Sequence, residues 1–286
     1  MKTIKVKTPA KINLTLEVLD KRPDGFHNIQ SIMQTVNLYD YITVRVEESD
    51  KFEITLDGNS SEIPYDSSNL VYKAVQKFFE AVPFIGNKFL VNITIEKNIP
   101  VAAGLAGGSA NAAGTFIALN EIFGNVLSED EIGSLCSTLG SDLNFCLKGG
   151  CALCTSRGEI IEKLPSYLLD VSLVKPLGFG ISAKEAYTKF SKLNEKSVPD
   201  NTSKLKDLLL DSKFNRTLLY NSLEKAVIHD YPELVEIKTQ VLNSMLSGSG
   251  PTFFVLNSKI STSMDSDRFL VLEGLKTIDE GVSIIN

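Results

Sequence analysis

The chain has 286 residues, 43% hydrophobic and 22% charged, with a formal net charge of −6. This is the make-up of a well-cored globular protein of about two domains, and an acidic balance without any basic run argues against a nucleic-acid partner. No apolar run reaches the roughly 20 residues of a membrane span. The opening "MKTIKVKTPAKINLTLEVLD" alternates instead of offering a signal-peptide core, so a cytoplasmic enzyme without a membrane partner is expected.

In chain order, Ile12, Leu14, Leu16 and Val18 alternate with Asn13, Thr15 and Glu17, the period of a half-buried strand. Lys11 shares parity with Asn13, so both side chains leave the same face. "KRPDGFHN" predicts a turn, with Pro23 fixing φ and Gly25 permitting the reversal. Strands are expected at Ile42/Val44/Val46, Phe52/Ile54/Leu56 and Phe89/Val91/Ile93/Ile95, and "SSNLVYKAVQKFFEAV" reads as a helix behind a Ser/Asn cap. After the small-residue stretch "PVAAGLAGGSANAAG", Ala112, Phe116, Leu119 and Phe123 mark one helix face stopped by Gly124. Ser128 and Glu131 form a capping-box pattern before a helix ending at Gly140, and a short apolar segment then leads through strand-like sequence to Arg157-Gly158-Glu159. In the second half, "VSLVKPLGFGIS" predicts a buried strand and "AKEAYTKFSKL" a helix. Residues 194–204 form a polar loop candidate, "NSLEKAVIHDYPELVEIKTQVL" is helical, and "SGSGPTFFVL" is a glycine-serine turn feeding a strand. There is no internal repeat, and the pattern is α+β with a boundary near residue 155.

Cys146, Cys151 and Cys154 have the C-x4-C-x2-C spacing that also occurs in plant-type iron–sulfur ligation. No fourth cysteine follows them, and in the apolar "FCLKGGCALC" they read as buried thiols; metal analysis separates the two readings.

Pro100–Gly114 holds four glycines and six alanines between a strand and a helix. Such a segment serves either as a backbone cradle for phosphates at a helix N-terminus or as a tight crossing of two elements. It is neither a Walker A loop, lacking the lysine, nor a G-x-G-x-x-G fingerprint. Ser109 offers a hydroxyl to phosphate or metal. Taken singly, Lys11 reads as a solvated edge charge and Asp142, just past Gly140, as a turn former. Taken with the glycine loop, they supply the cation, the base or orienter of the attacking hydroxyl, and the cradle of a phosphoryl-transfer site.

The blocks "PAKINLTL", "RPDGFHNIQSIMQ", "NLVYKA", "IPVAAGLAGGSANAA", "LGSDLNFCLKGG", "RGEI" and "SGSGPTFFVL" occur in the order found in GHMP-type small-molecule kinases, and the chain resembles that family over nearly its whole length. The resemblance implies an α+β fold of two domains. Residues 1–155 would be like ribosomal protein S5 domain 2 and residues 156–286 ferredoxin-like. It implies ATP as co-substrate with Mg²⁺, Asp142 as the base and Lys11 as its charge partner. The "RPDGFH" block is similar to that of members acting on a cytidine diphosphate-linked methylerythritol. In those terms Asn13 would hold substrate, Phe26 and Tyr187 would sandwich the cytosine, and His27 would read its edge. Asn69 and Lys97 would lie near the adenosine, while Pro100, Gly104, Leu105, Ala106, Gly107, Gly108 and Ser109 would wrap the phosphates.

Departures from the family pattern are Ala110 for serine, Asn144 for proline, Phe26 for tyrosine and Ala183 for threonine. His229 matches nothing functional, and no paired carboxylates mark metal ligands. The expected partner is the small-molecule substrate, with the chain a monomer or weak homodimer. A relative acting on another alcohol and a non-catalytic binder on the same fold are the competing readings.

Overall fold

A computed structural model describes residues 1–86, 88–193, 198–260 and 264–285. Two long strands, β1 (Lys2–Lys21) and β2 (His27–Glu48), pair antiparallel along nearly their whole length. Their connection closes because Gly25 takes a φ of +89°, its N–H donates to the Arg22 carbonyl, and the Asp24 carboxylate accepts the Phe26 N–H.

Next come β3 (Glu53–Gly58), α1 (Leu70–Ala81), β4 (Phe89–Glu96), α2 (Gly107–Ile122), α3 (Glu129–Leu139), α4 (Leu143–Lys148), β5 (Cys151–Ser156) and β6 (Ile160–Leu164). The length of β2 lets it pair along one side with β1 and along the other with β5, near Ile29–Gln34, and with β4, near Tyr41–Glu48. Helices α1 to α3 cover this sheet through a core that includes Ile42, Val44, Ile93, Phe78, Phe116 and Leu119. The caps form as expected: the Asn69 side chain accepts the Val71 N–H, and Ser128 and Glu131 make both bonds of a capping box.

The chain continues through β7 (Asp170–Pro176), α5 (Ala183–Ser191), α6 (Asn201–Leu210), β8 (Tyr220–Asn221), α7 (Ser222–Val227), α8 (Pro232–Gln240), β9 (Met245–Leu246), β10 (Phe253–Leu256), β11 (Phe269–Lys276) and β12 (Ser283–Ile285). A second sheet runs β11-β7-β10-β9, antiparallel throughout, which is the strand order of a ferredoxin-like unit. The division expected at residue 155 falls inside β5, β6 pairs with β5, and β12 returns to pair with β1. One core cluster joins Ile12 and Leu14 of β1 to Leu173 of β7 and Phe254 of β10, so the two sheets share packing.

Three expectations are corrected. The polar face of β1 is not half-exposed: Asn13, Thr15 and Glu17 are 1%, 0% and 2% exposed. Helix α6 lies over it, with Glu17 accepting the Asn201 and Thr202 N–H groups at 2.7 and 3.0 Å and the Thr202 hydroxyl donating to that of Thr15. The loop expected over 194–204 lies outside the described residues at 194–197, and from Asn201 it is helical. The single helix expected from Asn221 is broken into α7, a 3₁₀ turn over Ile228–Asp230 and α8. Pro232 lacks an N–H and fits the first turn of a new helix better than the middle of an old one.

All four cysteines are free and buried, and burial pushes the Cys136 and Cys151 thiols up to about 12. Among the described residues, no group of three or more His, Cys, Asp or Glu side chains is arranged to hold a metal ion, and no helix is long and apolar enough to cross a membrane.

Candidate active site

A cleft of about 1030 Å³ opens where β1, the segment after β4, the start of α4, helix α5 and the Ser247–Gly250 turn converge. At its floor lies Lys11, only 3% exposed. Its main-chain N–H donates to the Leu105 carbonyl, which ties β1 to the glycine loop at 3.1 Å. The Lys11 ammonium donates to Asn13 Oδ1 at 2.7 Å and to the Gly104 carbonyl at 3.0 Å, and lies 3.6 Å from Asp142 Oδ2. Asn13 is itself oriented, because its Nδ2 donates to Ser31 Oγ at 2.8 Å and Ser31 donates on to the Thr15 carbonyl.

Asp142 is the N-cap residue of α4, yet its side chain makes no capping hydrogen bond and is 29% exposed. A carboxylate turned from its own helix, with a buried ammonium behind it, faces the cleft as an acceptor. Its field reaches both the core and the cleft wall: burial first, and then the Asp142 charge, raise the thiol of the buried Cys146 and the phenol of Tyr187.

The glycine loop is bent by three residues in the left-handed region, Ala102 (φ +49°), Gly104 (φ +74°) and Ala106 (φ +59°). The two alanines pay a steric cost of about 1 kcal/mol or more each, which surrounding contacts must hold. One such contact is the late turn: Ser247 Oγ donates to the Gly104 carbonyl at 3.0 Å, and a Cβ on Gly104 would overlap the Ser247 carbonyl oxygen. Helix α2 then starts at Gly107, so the N–H groups of Gly107, Gly108 and Ser109 have no acceptor within the helix. Ala106 and Ser109 line the cleft at this end, and above Gly108 the nearest atom to an added Cβ is Leu70 Cδ1 at 3.9 Å. Backbone donors and the positive end of a 16-residue helix therefore meet open space, which suits phosphate.

Phe26 stands at the tip of the β1–β2 turn, 51% exposed, with the Arg157 guanidinium 5.1 Å from its ring centre. His27 is buried beneath it; Tyr187 of α5 stacks on the imidazole at 5.4 Å and 21°, Phe190 meets its edge, and Ser191 Oγ lies 3.2 Å from Nε2. Phe26, His27 and Tyr187 line the same cleft as Lys11, Asp142 and Ser109.

Of the remaining expected residues, Asn69 is half-buried as the cap of α1, its Nδ2 donating to the Pro64 carbonyl. Pro100, Leu105, Gly107 and Gly108 shape the loop without lining the cleft. Lys97, expected near the adenosine, is 5% exposed, and its ammonium pairs with the fully buried Asp40 and donates to Asn111 Oδ1 at 3.3 Å. Asp40 also accepts the Asn98 and Ile99 N–H groups, so this cluster anchors the strand end that feeds the glycine loop.

Residues 69–150 match the GHMP kinases N terminal domain. A 4-diphosphocytidyl-2-C-methyl-D-erythritol kinase of Clostridioides difficile (strain 630) is 40% identical over 268 residues, covering 90% of this chain and 87% of that protein. The chain belongs to the 4-diphosphocytidyl-2-C-methyl-D-erythritol kinase family. A member from Bacillus cereus (strain B4264) is 39% identical over 287 residues, with 97% and 94% of the two chains covered. The crystal structure of a 4-(cytidine 5'-diphospho)-2C-methyl-D-erythritol kinase superposes with a TM-score of 0.70 at 29% identity, covering 88% of this chain and 89% of that one. A homoserine kinase from Cytophaga hutchinsonii, 20% identical with a TM-score of 0.78 over 100% and 98% of the chains, shares the fold. As a member of the family the chain is an ATP-dependent kinase.

Within this kinase, several cleft residues carried no role in the sequence reading. Gly248 packs where an added Cβ would lie 3.1 Å from Lys11 Nζ and 3.4 Å from Asn13 Oδ1, so the late turn covers the floor of the cleft. Ser182 and Lys184 at the start of α5 line the cleft, as does Arg157; Ala183 between them, named above as a departure from the family's threonine, lines it too. The "SGSGPT" and "RGEI" blocks were visible signals for two of these, and Ser31, which orients Asn13, lies within the "RPDGFHNIQSIMQ" block.

Proposed function

We propose that this kinase transfers the γ-phosphoryl group of ATP to the 2-hydroxyl of 4-diphosphocytidyl-2-C-methyl-D-erythritol, within the non-mevalonate route to isoprenoid precursors. The observation that carries the reading is the Lys11–Asp142 pair, 3.6 Å apart, between a helix N-terminus and an aromatic cluster in one cleft. The cytosine stacks on Phe26, with Tyr187 and His27 closing the same end; the nucleotide phosphates lie along Gly104–Ser109. The substrate hydroxyl then sits at Asp142.

Asp142 accepts the hydroxyl proton as the oxygen bonds to the γ-phosphorus and the bond to the β-phosphate oxygen breaks, releasing ADP. Lys11 keeps Asp142 ionised and offsets the negative charge of the transfer. Asn13 and Gly104, which both accept from Lys11, hold its ammonium in place. Among the described residues no cluster of carboxylates, histidines or cysteines is arranged for a metal, so Mg²⁺ would be carried in on the phosphates, with Ser109 at the helix start as the protein donor. Bound there, Mg²⁺ neutralises phosphate charge. Lys97, through Asp40, serves the loop's anchorage. A soluble small-molecule substrate fits a cytoplasmic enzyme, which we take to act as a monomer or weak homodimer.

The decisive experiment is a substrate panel with ATP and Mg²⁺, offering the diphosphocytidyl substrate, homoserine and mevalonate. Phosphorylation is expected only of the first. Turnover that does not need the cytidine group would overturn the assignment in favour of another alcohol, and no ATP consumption with any alcohol would favour a non-catalytic binder.

A further inference from the structure

The "RGEI" block lies outside the catalytic assignments above, yet its arginine lies against Phe26. That ring is 51% exposed at a turn tip, and an aromatic so placed loses rotamer freedom when it stacks on a base. Unless something holds it beforehand, that ordering weakens binding.

The holding group is present. The Arg157 guanidinium lies 5.1 Å from the Phe26 ring centre. Arg157 is fixed in turn: its N–H donates to Glu159 Oε2 at 2.8 Å, its Nε lies 3.4 Å from Glu159 Oε1, and its Nη2 donates to the Ser137 carbonyl at 3.4 Å. Ser156 Oγ donates to Glu159 Oε1 and accepts from Arg22 Nη1, both at 3.0 Å. Arg22 bonds the Asp24 carboxylate through Nε, and Asp24 Oδ1 accepts the Phe26 N–H at 3.1 Å. The contacts close a circuit from Phe26 through Asp24, Arg22, Ser156, Glu159 and Arg157 back to the Phe26 ring.

The circuit also reaches the catalytic side. Asn144, two residues after Asp142, donates to the Glu159 carbonyl at 3.2 Å and to Ser137 Oγ at 2.8 Å. Ser156 (φ +63°) and Gly158 (φ +116°) bend the backbone so that the turn presents Arg157 to the ring.

We propose that Arg157 is a positioning residue for the cytidine substrate: it covers one face of Phe26, held by Glu159, and presets the other face for the base. This rests on the reading that Phe26 stacks on the cytosine. Arg157 acts through Phe26, so its contribution depends on the ring being there.

The test is a double-mutant cycle in steady-state kinetics on the full chain, with Phe26→Ala, Arg157→Ala, Arg157→Lys and Phe26→Ala/Arg157→Ala. Thermal melting accompanies each variant. Arg157→Ala is expected to raise KM for the diphosphocytidyl substrate about five-fold, the size of one partly exposed cation–π contact, with kcat and the KM for ATP unchanged. Arg157→Lys should restore part of the loss, because it keeps a cation near the ring without the planar fork. In the Phe26→Ala background, Arg157→Ala should add nothing.

An equal effect of Arg157→Ala in both backgrounds would overturn the proposal, since Arg157 would then touch substrate directly. An unchanged KM in Arg157→Ala while Phe26→Ala raises it would overturn the proposal and leave the stacking reading intact. An unchanged KM in Phe26→Ala would remove the stacking reading itself. If Arg157→Ala melts early, Arg157→Lys completes the cycle, and the same dependence on Phe26 is the expected result.

Discussion

Lys11 and Asp142 sit in opposite surroundings, which suits them to the two roles proposed for them. The ammonium is 3% exposed and bonded to Asn13 and Gly104, whereas the carboxylate is open to the cleft. Asp142→Asn keeps the shape and removes the proton acceptor. We expect kcat to fall roughly 10²–10⁴-fold, the usual worth of general-base catalysis, while calorimetric titration with ATP still shows binding; near-normal turnover would rule out the base. Lys11→Ala should lower kcat and kcat/KM together, and a change confined to KM would limit Lys11 to holding substrate. Glu159 gives a pH signature of its own. Burial raises its carboxyl, but hydrogen bonds from its own backbone, the Ser156 hydroxyl and the Arg157 N–H outweigh that, so the folded-state pKa is lowered. A lowered carboxylate stabilises the fold above the unfolded value and loses that contribution as pH falls through the folded one. The Arg157 turn should therefore be intact at and above the ordinary glutamate range and loosen only as the pH falls below it. Hydrogen exchange at residues 156–159 followed against pH measures this.

Among the elements, the glycine loop answers both readings of its small residues, at different positions. Gly114 serves the tight crossing: a Cβ there would come within 2.5 Å of Thr8 Cγ2, so α2 lies directly on β1. Gly104 serves the meeting of the loop with the late turn, and Gly108 is the position with open space above it. Two substitutions separate these roles. Gly104→Ala forces a side chain into a left-handed residue and against the Ser247 carbonyl, and should lower the melting temperature and the activity together. Gly108→Ala adds a methyl group inside a helix where no neighbour obstructs it, so stability should rise by up to about 1 kcal/mol, while KM for ATP rises because the methyl meets the phosphates. A melting temperature that fell in Gly108→Ala would place that glycine in packing instead. The strand at residues 12–18, the capped helix beginning at Leu70, the capping-box helix and the late turn were all legible from periodicity and cap chemistry. Helix α6 was not, because what calls for it is the buried acceptor Glu17 on a distant strand.

At the scale of the whole molecule, the two sheets share a core, and β12 returns to β1, so neither half of the sequence is a separate block. The Lys97–Asp40–Asn111 cluster joins β2, the end of β4 and α2 at the foot of the glycine loop. Lys97→Met keeps the volume and leaves Asp40 buried without its cation, which typically costs about 3–5 kcal/mol. Urea unfolding should show a loss of that order, with ATP affinity falling only as the loop loosens. Unchanged stability with a large rise in KM for ATP would instead restore Lys97 to the adenosine.

What the sequence determined by itself is what lies within reach of a short stretch of chain. That covers the strands and helices set by hydrophobic period, the caps and turns set by local hydrogen bonding, and the block order that marks the family. It also put Lys11 and Asn13 on one strand face, since alternate residues share a side. The tertiary structure decided which charges are buried and with whom. Glu17 meets the N-terminus of α6 across 184 residues, Lys97 meets Asp40 across 57, and Arg157 comes to rest on Phe26. No period or spacing encodes such meetings: a buried polar group must find a partner wherever the fold brings one within hydrogen-bond distance.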